Sequence, residues 1–136
     1  MQREELEMAK HALIIDDDPM SLEILSQLLE LEGFTFTAVQ DSRLIDDALA
    51  GLSQVDIVFL DLEMPAPDGY NVLKYLKNDI GMSAPIVAHT VHMSESNAAL
   101  AMGFDAFISK PIDSDYFHEH LQQILSGERV WVTRHN

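Results

Sequence analysis

Charged and hydroxyl residues stand where the apolar runs of this 136-residue chain stop. The first run, His11 to Ile15, ends on Asp16-Asp17-Asp18. Another, Ile57-Val58-Phe59-Leu60, ends on Asp61, with Glu63 two residues further on. Pro85 to His89 ends near Thr90, and Asp105 to Ser109 ends on Lys110. In an open parallel α/β sheet, ligands bind at the carboxyl ends of the strands, so these side chains would share one edge. If the strands that carry Asp16-Asp17 and Asp61 are neighbours, three carboxylates crowd together. Like charges that close raise each other's pKa unless a cation joins them. Hard oxygen ligands of this kind suit Mg²⁺, which commonly shares its shell with phosphate oxygens. A lysine supplies a point charge for a phosphate, and a threonine hydroxyl can donate to one. With a carboxylate able to attack phosphorus, the set makes a phosphoryl-transfer site.

The elements that must position these residues follow from the pattern. The apolar runs are short and rich in β-formers, as strands buried on both faces are. Phe34 to Val39 and Val55 to Leu60 complete the strand set. Between strands, leucines recur at helical spacing from Leu22 to Leu31, and helices also fit Asp41 to Leu49, Gly69 to Asn78, Ser94 to Met102 and Asp113 to Leu125. Asp18 before Pro19 reads as an N-cap rather than a metal ligand. Glycines at 33, 51, 103 and 127 close four of the helices. Pro65, Pro67 and Asp68-Gly69 break the backbone after Asp61. The result is βα repeated five times, which implies an α/β fold with a doubly wound parallel sheet and right-handed crossovers. Residues 1–10 form a helix-tolerant lead-in, 11–126 the domain, and 127–136 a tail of open form. In that tail Val130-Trp131-Val132 is an apolar patch that either packs back on the domain or meets a partner.

Bulk properties exclude several function classes. Eight Lys+Arg against 23 Asp+Glu give a net charge of −15, which repels phosphate backbones and argues against direct nucleic-acid binding. The absence of cysteine removes disulfides, thiolate metal sites and cysteine catalysis. No stretch has the form of a signal peptide, and no apolar run approaches the roughly 20 residues of a membrane span, so a cytoplasmic protein with no membrane contact is expected.

Five segments, in order, resemble the receiver domain of two-component response regulators. They are LIIDDDP, DIVFLDLEMPAPDGY, PIVAHT, the turn from Gly103 to Asp105, and FISKPI; the likeness runs from about His11 to Leu125. It implies a five-stranded flavodoxin-like sheet of order 2-1-3-4-5. It also implies that Asp61 is a phosphoacceptor, supplied by a histidine kinase or a histidine phosphotransfer protein. Asp17 would bind Mg²⁺ directly, Asp16 through water, and Glu63 through its backbone carbonyl. Thr90 would turn toward the phosphoryl group beside Lys110, and Phe107 would be the aromatic switch that buries itself in response. Pro111 matches the proline after the lysine, often in a cis bond. The face made by the fourth helix, last strand and last helix would then meet a downstream protein partner or effector domain.

Some positions depart from the family pattern. Glu63 and His92 occupy variable positions that tune dephosphorylation, and the Glu63 side chain either perturbs the metal shell or faces solvent. Val91 stands where a smaller residue is common and adds bulk at the entrance, while Ala66 replaces a glycine and stiffens its loop. His118 and His120, two apart on one helix, cannot share a face as metal ligands do. The helix Ser94 to Met102 carries only Glu95 among charged residues, which argues against a charge-paired dimer through the last two elements. The short tail leaves two options, a stand-alone receiver that opens naturally on Met1 or a piece of a longer protein. Other classes share parts of the pattern. A phosphohydrolase of the haloacid-dehalogenase type wants a second Asp where Glu63 stands. A flavodoxin-type FMN binder wants a Ser/Thr/Gly loop where the three aspartates stand. A receiver-like scaffold that is never phosphorylated would not need the full set.

Overall fold

The computed structural model describes residues 9–65 and 67–133. Residues 1–8 of the expected lead-in, and Ala66, lie outside them. Six parallel strands form one sheet: β1 (His11–Ile15), β2 (Thr35–Val39), β3 (Ile57–Leu60), β4 (Ile86–Thr90), β5 (Ala106–Ser109) and β6 (Val130–Val132). Their order is β2-β1-β3-β4-β5-β6. The helices are α1 (Pro19–Leu31), α2 (Ile45–Ala50), α3 (Gly69–Lys74), α4 (Ser96–Met102) and α5 (Ser114–Leu125).

The strand sequences explain their place. All four residues of β3 and all five of β4 are buried, since both faces of a doubly wound sheet are covered. Alternate side chains feed two cores. One holds Leu13, Ile15, Leu60, Ala88 and Phe107 against α2, α3 and α4. The other holds Ile14, Phe59 and Ile108 against α1 and α5, through Leu25, Leu29, Phe117 and Leu121. The starts of α1, α3 and α5 are capped by aspartates, each accepting a backbone N–H of the first turn: Asp18 from Met20, Asp68 from Asn71 and Asp113 from Asp115.

The structure shifts several of the expected element ends by a residue or two and opens the second and fourth helices with 3-10 turns, and three further departures bear on the fold. β3 begins at Ile57; Asp56 before it still donates its N–H to His11 O at 2.8 Å, while its carboxylate accepts the His11 N–H at 2.7 Å. The third helix does not end at Asn78. It widens into a π-helical turn over Tyr75–Ile80 and stops at Gly81, whose φ of 75° suits glycine. The tail contributes a sixth strand, so the expected five-stranded sheet is one strand short. Val130, Trp131 and Val132 pair with Ala106, Phe107 and Ile108, and the apolar patch packs back on the domain.

Sheet order brings β1 and β3 side by side, with β1 also touching β2 on its other side. The winding direction reverses there, which leaves a crevice at the carboxyl ends. Hydrogen bonds of the ladder run one residue beyond the strands. Asp16 N–H donates to Val39 O, Asp61 N–H to Ile15 O, and Lys110 N–H to Thr90 O, at 3.0, 2.9 and 2.8 Å. The side chains at this edge are therefore fixed by the sheet itself.

Candidate functional site

Asp16, Asp17 and Asp61 each offer a carboxylate oxygen within 4.8 Å of the others. Asp16 and Asp61 are buried, whereas Asp17 is exposed at the rim. Lys110 reaches in from the end of β5. Its Nζ lies 2.9 Å from Asp16 Oδ2 and 3.6 Å from Asp61 Oδ2. One lysine thus faces three carboxylates, two of them out of water, and the site lacks positive charge. Burial pushes the Asp61 carboxyl up to about 6, and the Asp16 charge adds to the rise. The Glu63 N–H, donating to Asp61 Oδ1 at 3.0 Å, and the Lys110 ammonium oppose it. Hard oxygen donors short of counter-charge are a fitting seat for a divalent cation such as Mg²⁺.

The loop after β3 is held against the site by a close approach. A Cβ on Gly69 would lie 2.6 Å from both Asp61 O and Leu62 Cα, so only glycine lets α3 start there. The loop carries Glu63 to the mouth, where its Oε1 pairs with His92 Nε2 at 3.1 Å. Both side chains are about half exposed, and the Glu63 carboxylate therefore faces its neighbour loop. The pair links the loop after β3 to the loop after β4. Tyr70 OH donates to Glu95 Oε1 at 2.5 Å and ties the same two regions further out. Neither link was readable from spacing, because 29 and 25 residues separate partners that only the β3–β4 pairing brings together.

Thr90 is fully buried at the end of β4, and its Oγ1 accepts the His92 N–H at 3.3 Å. Val91 beside it is 58 % exposed. Phe107 is fully buried, its ring stacked on Trp131 with centroids 5.5 Å apart. The Lys110–Pro111 peptide bond is cis. Asp18 does not join the carboxylates; its side chain caps α1. His118 pairs with Glu32 and His120 stacks on Tyr116, so these two do not converge. His89 is buried with both ring nitrogens unpartnered, and burial, helped by the Lys110 charge, pushes its pKa down to about 3.

Comparison with known proteins gives a coherent set of matches. The response regulator receiver domain model matches residues 12–122. The Heme response regulator HssR of Staphylococcus saprophyticus is 35% identical over 120 residues, covering 87% of this chain and 52% of that protein. Response regulator GtcR of Aneurinibacillus migulanus is 33% identical over 108 residues, 78% of this chain and 43% of the relative. The chain thus spans about half the length of these two proteins. Among solved structures, the signal receiver domain of a signal transduction histidine kinase from Syntrophus aciditrophicus superposes with a TM-score of 0.73 and 30% identity, over 94% of this chain and 96% of that one.

Proposed function

This chain belongs to the response regulator receiver domain family, and we propose that it is a signalling switch that accepts a phosphoryl group on Asp61. The observation that carries the reading is the buried Asp61 carboxylate, with two further aspartates within 4.8 Å and Lys110 3.6 Å away, on one sheet edge. An Asp61 oxygen attacks the phosphorus of a phosphohistidine on a kinase or phosphotransfer protein, and the P–N bond breaks. The imidazole, protonated on its other nitrogen, leaves as neutral histidine with the electron pair of that bond. Asp61 then carries an acyl phosphate. Lys110 offers a positive charge to its oxygens, and the Thr90 hydroxyl offers a hydrogen bond once it turns toward them.

Asp17, Asp61 and the Glu63 carbonyl would hold Mg²⁺, with Asp16 contributing through water. When bound, the ion offsets the charge of the carboxylates and of the incoming phosphoryl oxygens. The acidic surface favours protein partners over nucleic acid, so the output passes by protein contact or through an effector domain. A cytoplasmic location goes with this reading, since kinases draw their phosphoryl group from ATP there.

The reading is tested by titrating beryllofluoride, a phosphoryl mimic, with and without Mg²⁺. Native protein should bind it only with Mg²⁺, and Asp61→Asn should not bind it. No adduct together with no Mg²⁺ affinity would overturn the proposal. Sustained turnover of an added phosphate ester would instead mark a phosphohydrolase.

A further inference from the structure

The sixth strand brings an aromatic ring against Phe107, the aromatic switch position that the receiver-domain resemblance implies. A single row of register partners crosses the whole sheet: Val39, Ile15, Leu60, Ala88, Phe107 and Trp131. The site lies just beyond this row. Asp16 follows Ile15, Asp61 follows Leu60, and Thr90 stands two residues past Ala88 on the same face. Ala88 is small, and its neighbour Phe107 fills the space beside it. Trp131 stacks on Phe107 from the outer side, the ring planes 27° apart, and belongs to the same core. The Arg129 guanidinium lies 5.9 Å from the indole centroid. Val130 and Val132 point into the opposite core. β6 is three residues long and pairs only with β5, so it is among the elements least costly to detach.

We propose that Trp131 is a positioning residue for the phosphorylation site. Resting on the reading above, it acts through Phe107. With β6 seated, a Phe107 ring that swings outward meets the indole; with β6 detached, it meets water. Seating β6 therefore holds Phe107 in the inward position that accompanies Thr90 turned toward Asp61. In the structure, with Asp61 unmodified, Phe107 is fully buried and Trp131 stacks on it. Coupling is reciprocal: a strand that favours the phosphoryl group is itself tightened by that group.

Trp131 is the only tryptophan in the chain, so its emission reports on β6 directly. Beryllofluoride and Mg²⁺ are titrated into native protein, Trp131→Ala and Trp131→Phe, and acrylamide quenching of the native indole is followed in parallel. Beryllofluoride affinity should fall about tenfold in Trp131→Ala, within the ordinary range of coupling between sites. The Phe variant should recover most of the loss, and Mg²⁺ affinity, which a merely unfolded site would lose, should hold in both. Native quenching should decrease when the adduct forms. If native protein binds beryllofluoride and both variants bind it equally well, the positioning role is wrong while the switch reading stands. If native quenching does not change on adduct formation, the coupling is likewise refuted. If native protein forms no adduct, the switch reading fails and this inference with it. If Trp131→Ala does not fold, the Phe variant and the native quenching decide.

Discussion

Replacing His89 with leucine should change how stability responds to acid. The imidazole is buried at the end of β4 with both nitrogens unpartnered, and its pKa in the folded protein falls to about 3 from an ordinary 6.5. The unfolded chain therefore binds a proton below pH 6.5 that the folded chain refuses. The stability tied to a neutral His89 is complete above pH 6.5 and is lost progressively as pH falls toward 3. At pH 5 that loss amounts to ~2 kcal/mol, at 1.36 kcal/mol per unit of separation. Asp61 runs the other way. Its pKa is raised to about 6 in the folded state, so protonation between pH 6 and the ordinary carboxylate range favours folding and returns about 1 kcal/mol by pH 5. From these two groups together, native protein without Mg²⁺ should lose only a little stability between pH 7 and 5, and His89→Leu should respond more favourably to acid than native by about 2 kcal/mol over the same interval. Urea unfolding at the two pH values, with a chelator present, measures the difference. His89→Leu should also be more stable than native at pH 7, because two unsatisfied buried nitrogens disappear at a cost of ~1–3 kcal/mol each when unpaired. Parallel pH dependence in the two proteins would show that His89 finds a partner or solvent in solution, and the burial argument would fail.

Gly69→Ala should destabilise by about 1–3 kcal/mol, as overpacking does, and should weaken Mg²⁺ binding because the new Cβ pushes on the Asp61 and Leu62 backbone; thermal unfolding and Mg²⁺ titration read both effects. Asp18→Ala should cost about 1 kcal/mol through the lost cap of α1 and leave Mg²⁺ affinity unchanged. A marked loss of Mg²⁺ affinity in that variant would make Asp18 a ligand after all. His92→Ala should change stability by less than about 1 kcal/mol, since its pair with Glu63 is exposed. It should nevertheless shorten the life of the acyl phosphate by opening the mouth to water, which phosphate release from phosphorylated protein follows. An unchanged release rate would assign the pair no part in the lifetime of the signal.

The sequence was most legible where one local rule acted alone. Short apolar runs became β1, β3, β4 and β5 because parallel strands buried on both faces need little else, and Asp18 became the cap of α1 because an N-cap needs only its own turn. The convergence of Asp16, Asp17 and Asp61 could be foreseen only on the condition that β1 and β3 are neighbours, a fact of topology rather than of spacing. β6 was the main loss. Three residues are too few for periodicity to separate a strand from a patch, and what makes Val130–Val132 a strand is the unpaired edge of β5 beside it. Its alternation, valines to one core and tryptophan to the other, was the available clue. The π-helical turn after α3 had no clue of this kind. The Glu63–His92 and Tyr70–Glu95 links depend on two loops that meet only because β3 and β4 pair.

The central claim concerns one oxygen atom of Asp61. Native protein and Asp61→Asn are incubated with acetyl phosphate and Mg²⁺, and their intact masses are followed, with peptide mapping of any modified species. The account predicts the gain of one phosphoryl group on the peptide that contains Asp61, lost on mild alkaline treatment as an acyl phosphate is, and absent from Asp61→Asn. A native protein that stays unmodified, or an Asp61→Asn variant that gains the same group at the same rate, would contradict it.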